Sequence, residues 1–409
     1  MTDRIATLDS VRGVAVMGIL AMNVVAFAMP FQAYLNPVAY GIESAADLWS
    51  WYLSFILVDG KMRGLFSFLF GASVLLVLQR AEAAGTSPER VHFRRMAWLW
   101  VFGLLHFYLV WFGDILALYA PLGMLAWFLA DRSPRALIGI GAAFILIQFL
   151  LFASFAIMFF PAEAAAAAPG ARAETVAAWR AMSSEFAALP GPALAADLAL
   201  YRGDYAGIVT HRIVDQGADP FTALFLFGWE TFGYLLFGMA ALKSGFLAGA
   251  WDDRRYARVV AWGFGLGIPI YALLGGLVWR AGFGVPELVA GSLAATVLVR
   301  PVMIVATAAL IILATRRGGG PLVARIAAAG RAAFTNYLGT SLIMTGLFYG
   351  YGLGWYGTLS RAELWLVVLP MWALMLLWSK PWLDRFRYGP FEWLWRSLAR
   401  WEWQTLRRA

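Results

Sequence analysis

An imidazole and a carboxylate eight residues apart, His106 and Asp114, stand in the otherwise apolar stretch LLHFYLVWFGDILALYAPLG. Imidazole is the side chain whose ordinary pKa lies near neutrality, so His106 is a candidate general base for activating a hydroxyl or an amine. Two readings of Asp114 stand side by side. It orients that base or binds an acceptor hydroxyl, or it N-caps the helix that opens at ILALYAPLG. On a continuous helix the two side chains share a face but lie about 12 Å apart at ~1.5 Å per residue, too far for a direct hydrogen bond. Only a break at Gly113 would fold Asp114 back, so a directly bonded dyad depends on that break.

Other polar side chains also fall among apolar ones, where each ionisable group costs about 2.5 to 3.5 kcal/mol on insertion scales and therefore faces a bundle interior or an aqueous cavity. Lys61 and Arg63, in DGKMRG, form a candidate paired-cation site for a polar or anionic ligand, with Asp59 as a local counterion. Snorkelling charges at a helix end are the ordinary alternative. Glu230, in LFGWETFGYLLFG, must be protonated or paired, and Arg63 or Lys61 is a possible partner. Asn336 is a candidate substrate contact. For it, as for Asn23, an interhelical hydrogen bond is the default. Arg12, in LDSVRG, has a guanidinium fork that suits phosphate oxygens and a position that suits a membrane anchor. His92 and His211 fall in expected loops and are given no role.

The elements that position these residues are set by hydropathy. The 409 residues are 62% hydrophobic and 14% charged, with a mean hydropathy of +0.70, more apolar surface than a soluble core can hide. The reading is an all-α, polytopic membrane helix bundle of about ten transmembrane helices. Crossings are expected near 11–29, 63–80, 95–112, 115–130, 136–160, 221–241, 258–280, 288–315, 332–352 and 362–378. Residues 47–58, too short to span alone, are placed as an interfacial or re-entrant helix broken at DGKMRG. Arginine and lysine clusters at 80–95, 242–258 and 316–331 and in the tail from Ser379 put those segments, and both termini, on the cytoplasmic side. The acidic segment 161–219 then lies outside and is read as helical. The chain thus divides into an amino-terminal membrane half (1–160), the external segment (161–219), a carboxyl-terminal membrane half (220–378) and a Trp/Arg-rich amphipathic tail (379–409), which suits an anionic leaflet.

A net charge of +8 does not imply nucleic acid, because the basic residues form short clusters between apolar runs rather than a stripe. The lack of cysteine excludes disulfides and cysteine-ligated metals, and no zinc motif, P-loop or nucleophile elbow occurs, so no metal is expected. Asp3 and Asp9 beside Arg4 and Arg12 argue against a cleaved leader ending at Ala28.

The blocks LDSVRGVAVMGILAMNV, GKMRGLFSFLFG, LLHFYLVWFGDILALYAPLG, YRGDYAGIVTHR, GRAAFTNYLGTSLI and DRFRYGPFEWLWRSL cover nearly the whole chain in order. By them the sequence resembles the YeiB-like family of bacterial inner-membrane proteins, a domain-of-unknown-function family. It departs from that family at Thr340, where a glutamine is frequent. The amino-terminal half is also similar to the transmembrane acyltransferase superfamily, which includes lysosomal heparan N-acetyltransferase and the acyltransferase-3 proteins. That resemblance implies acyl-CoA as the donor on the cytoplasmic side, a small-molecule or glycan acceptor outside, His106 as the catalytic base and Arg12 as a contact to the CoA phosphates. The expected function is therefore transmembrane acyl transfer. A transporter of a small envelope metabolite using Lys61, Arg63 and Glu230 is the alternative, and a non-catalytic membrane scaffold is the third reading.

Overall fold

Backbone groups in hydrocarbon must bond within their own segment, so the apolar runs form helices. The computed structural model describes residues 6–408; Asp3 and Arg4, weighed above against a leader, lie outside them. The helices are α1 (Ala6–Ala28), α2 (Gln32–Leu35), α3 (Ala45–Leu57), α4 (Lys61–Ala83), α5 (Pro88–Leu109), α6 (Leu116–Trp127) and α7 (Pro134–Ala167). Three short helices follow, α8 (Ala173–Ser183), α9 (Gly191–Tyr201) and α10 (Tyr205–Val214). The second half holds α11 (Asp219–Lys243), α12 (Asp253–Arg280), α13 (Val285–Leu288), α14 (Ala295–Arg317), α15 (Pro321–Arg331), α16 (Ala333–Phe348), α17 (Trp365–Arg385) and α18 (Pro390–Arg400). A π-turn over Val289–Ala294 joins α13 to α14. No β-strand occurs among the described residues.

Seven helical segments are long and apolar enough to cross a bilayer: Thr7–Ala28, Ala45–Ala83, Pro134–Ala167, Asp219–Lys243, Asp253–Arg280, Val285–Arg317 and Trp365–Arg385. The protein is a membrane-spanning helical bundle. Within it α6, with 12 residues, and α16, with 16, fall short of a full span.

Residues 47–58, read as a short helix broken at DGKMRG, correspond to α3, which runs alongside α12 from the Trp49–Trp279 contact to Phe55–Tyr271 and joins α4 across a break within one long apolar helical segment, Ala45–Ala83. The break is at Gly60, in the left-handed region at φ 65, where a Cβ would sit 2.3 Å from Arg300 Nε. The basic segment 316–331, between two expected crossings, contains α15, which packs on α1 so tightly that a Cβ on Gly330 would lie 1.9 Å from the Asp9 carbonyl oxygen. Helix α7 runs through Pro161 to Ala167. His92 and His211 lie in α5 and α10 rather than in loops.

Helices α4 and α11 pack backbone to backbone. A Cβ on Gly71 would lie 1.9 Å from the Leu235 carbonyl oxygen, and one on Gly238 would lie 1.7 Å from that of Phe68. Small residues let the backbones approach this closely, and dispersion then holds them without a hydrophobic drive. Gly238→Ala is expected to lower the unfolding midpoint in detergent by several degrees, whereas Gly339→Ala in α16, with nothing within 4 Å of the added carbon, should leave it unchanged. Equal midpoints would overturn the close-packing account.

At one end α8–α10 cover the bundle. Asn36 Nδ2 donates to the Phe186 carbonyl at 2.8 Å, Tyr108 OH to that of Gly217 at 2.7 Å and Tyr205 OH to that of Leu109 at 2.8 Å. At the other end α18 docks on the protein. Glu392 accepts from the Phe334 and Thr335 amides at 2.7 and 3.1 Å, capping α16 from another element. Burial pushes the Glu392 carboxyl up, against the pull of these donors.

Candidate functional site

Helix α5 ends at Leu109, where the Val110 and Trp111 amides both donate to the His106 carbonyl at 2.9 and 2.8 Å. The Trp111 indole then leaves the helical path and stacks on Phe27 of α1, ring centroids 3.8 Å apart. Gly113 follows beneath that indole, where a Cβ would lie 2.2 Å from the ring. The turn returns Asp114 to the imidazole: His106 Nδ1 and Asp114 Oδ2 are 2.7 Å apart. Of the two paths left open for this stretch, a continuous helix and a break that folds Asp114 back, the chain takes the second, and the pair bonds.

One carboxylate serves both readings of Asp114. Its Oδ1 accepts from the Ala117 amide at 2.7 Å, in the first turn of α6, while Oδ2 holds the imidazole. Both side chains are buried, 2% and 0% exposed. A carboxylate on Nδ1 favours the tautomer with its proton there, which leaves the lone pair on Nε2. His106 Nε2 has no hydrogen-bond partner among the described residues. A buried base oriented by a carboxylate, with its other nitrogen unengaged, can accept a proton from a hydroxyl or an amine.

Below this pair, toward the end where α18 docks, lies a cavity of about 480 Å³. Arg12, Arg80, Arg95, Arg331, Arg387 and Arg396 line it, against two carboxylates, Asp9 and Glu392. Glu392 is already occupied as the cap of α16, and Asp9 lies 3.6 Å from Arg12. The walls thus carry a large positive excess, a field that concentrates anions. Leu116, Tyr119 and Tyr337 also line it. The Tyr337 ring stands between cavity and imidazole, its centroid 5.3 Å from that of His106.

The intramembrane charges form a separate cluster. Glu230, fully buried, binds Arg63 through one oxygen and Arg300 through the other, the latter at 2.6 Å. Tyr234 OH also donates to it at 3.1 Å. Lys61 joins from the chain break, donating to the Phe55 carbonyl at 2.9 Å with its ammonium 3.4 Å from the Tyr271 ring centroid. Asn336 ties helices together: its amide donates to the Ala329 carbonyl at 3.0 Å and to Ser379 Oγ at 3.2 Å, and it accepts from Trp378 Nε1 at 2.8 Å. Sequence reasoning missed Arg300, although a guanidinium in LAATVLVRPVMIV carries the same intramembrane signal that singled out Glu230. It missed Tyr337 and the arginine ring because no local pattern marks a wall shared by many helices.

Residues 241–402 match a family described as a protein of unknown function, DUF418. Over 410 residues the chain is 32% identical to the uncharacterized protein YeiB of Escherichia coli (strain K12), a match covering 97% of this chain and 96% of that protein. The chain belongs to the YeiB-like family. A second YeiB-like relative, the uncharacterized protein YxaH of Bacillus subtilis (strain 168), is 30% identical over 414 residues, covering 99% of this chain and 96% of that one. No solved structure matches. In this YeiB-like chain the DUF418 match takes in α12–α18 and so contributes Arg300, Tyr337 and Glu392. His106, Asp114, Lys61 and Arg63 lie before it, and the candidate site is built by both parts.

Proposed function

We propose that the protein is an acyltransferase of the bacterial inner membrane, taking an acyl group from acyl-CoA on the cytoplasmic side and passing it to a small-molecule or glycan acceptor on the outer side. The observation that carries this reading is the arginine-lined cavity with Tyr337 in its wall, and the buried His106–Asp114 pair on the far side of that ring. By the positive-inside rule the end bearing α18 is cytoplasmic. Phosphates of the donor would meet Arg12, Arg80 and Arg95, whose guanidinium groups suit phosphate oxygens. The thioester would extend past Tyr337. His106 Nε2 then takes the proton of the acceptor hydroxyl or amine as its oxygen or nitrogen bonds to the thioester carbon. The carbon–sulfur bond breaks, and the departing thiolate recovers the proton from the imidazolium, which Asp114 stabilises.

The transporter reading has less support, because protein groups already engage both Glu230 oxygens, leaving no open coordination for a solute. Titration calorimetry of acyl-CoA into the purified full chain tests the donor site. Arg95→Gln is expected to weaken binding about tenfold, the loss of roughly one charge-assisted contact. No heat with the unaltered protein would overturn the donor assignment, whereas solute flux in vesicles lacking any acyl donor would favour transport.

A further inference from the structure

The block YRGDYAGIVTHR folds as the end of α9 and most of α10, and it carries an arginine that the chemistry above does not use. Arg212 is fully buried, and none of its three guanidinium nitrogens has a hydrogen-bond partner among the described residues. Its guanidinium carbon lies 5.8 Å from the Tyr349 ring centroid, and the buried Tyr349 hydroxyl, close enough to interact with it, makes no hydrogen bond within 3.5 Å. No carboxylate bonds to the guanidinium: Asp215 is bonded to His211 at 2.7 Å, Asp197 to the Tyr356 hydroxyl at 2.9 Å, and the charge facing Asp219 is that of His211.

A guanidinium held out of water with most of its five N–H groups unmet is strongly unfavourable unless a partner completes it. The unmet groups here are N–H and O–H donors, so the missing partner supplies acceptors and negative charge. The position is also specific. Ile208 and Arg212 face the bundle, while Ile213 and Val214 on the same helix are 53% and 71% exposed, which sets the arginine at the edge of the apolar belt. Helix α10 rests on the last turn of α5, through the Tyr205 bond to Leu109. Ile208, Tyr349 and Trp111 share one apolar cluster, and Trp111 touches the His106 ring, centroids 6.4 Å apart.

We infer that Arg212 and Tyr349 form an oxyanion-binding site beneath the external helices, for a phosphate or carboxylate group carried by the acceptor. This rests on the acyl-transfer reading for the word acceptor only; the anion site follows from the unmet donors. The group can come from a lipid headgroup or from a soluble molecule, and the test separates these.

The unfolding midpoint of the purified full chain in neutral maltoside micelles is measured alone, then with inorganic phosphate, with acetate, and with added phosphatidylglycerol. Arg212→Met keeps the side-chain bulk and removes the charge. Without anions it should be no less stable than the unaltered protein, since it relieves an unpaired buried charge. A saturating anion should raise the unaltered protein by roughly 2 °C or more, and that rise should be lost in the variant. Because the arginine cavity also takes phosphate, the comparison is repeated in an Arg95→Gln background, where the Arg212-dependent part should persist. A rise with phosphate or acetate identifies a soluble oxyanion; a rise with phosphatidylglycerol alone identifies a headgroup. The inference is overturned if no probe gives an Arg212-dependent rise, or if Arg212→Met unfolds at clearly lower temperature with its anion response intact. Arg212→Gln replaces the methionine variant should that one not fold. If acyl-CoA binding fails while this rise persists, the transfer reading falls and the oxyanion site stands.

Discussion

His106→Ala is expected to lower the rate of acyl transfer by roughly 10²–10⁴-fold, the contribution of a positioned general base. Labelled acyl-CoA turnover by the protein in proteoliposomes reads this directly. Donor binding should be unchanged, because the imidazole does not line the arginine cavity and is separated from it by the Tyr337 ring. A split between intact binding and lost turnover is the signature of a base acting on the acceptor. Asp114→Asn should lower the rate too and also loosen the start of α6, since it weakens one hydrogen bond to the ring and one to the Ala117 amide. If His106→Ala transfers at the normal rate, the imidazole has no part in the chemistry.

The largest stability effect is expected at Glu230. Removing one partner of a buried ion pair leaves an uncompensated charge and costs about 3–5 kcal/mol. Glu230→Ala leaves both Arg63 and Arg300 without their carboxylate, and Arg300 is almost fully buried, 5% exposed. The unfolding midpoint should fall by more than about 5 °C, if the protein folds at all. The double variant Glu230→Gln with Arg300→Met should be more stable than Glu230→Gln alone, because it removes the stranded guanidinium as well. A double variant that is less stable by the sum of the two single effects would show that the pair does not act as a unit.

Much of this architecture was legible before any coordinates. Length and hydropathy require helices that satisfy their own backbone, and Glu230 in an apolar run requires a counterion. The identity of that counterion was only half legible. Arg63 was among the expected partners, but Arg300 lies 70 residues further on, and no spacing rule links positions on separate helices. Lys61 illustrates the same limit from the other side. The break at Gly60 was marked by DGKMRG, yet the direction of α3, down the side of α12, depends on aromatic contacts with Trp279 and Tyr271.

The dyad shows most clearly where local reasoning stops. By itself the sequence determined that an imidazole and a carboxylate sit in an apolar stretch, that a glycine precedes the carboxylate, and that a new helix starts there. Helical periodicity places such a pair about 12 Å apart, and the glycine permits a break without requiring one. The tertiary structure decided otherwise through one stacking contact, Trp111 on Phe27 of α1. It draws the chain out of α5 two residues after its end and swings Asp114 onto His106. Side-chain packing between distant helices chooses among backbone paths that are all open to the isolated segment. For the same reason the sequence determined a basic, membrane-spanning helical protein, and only the fold gathered six scattered arginines around one cavity.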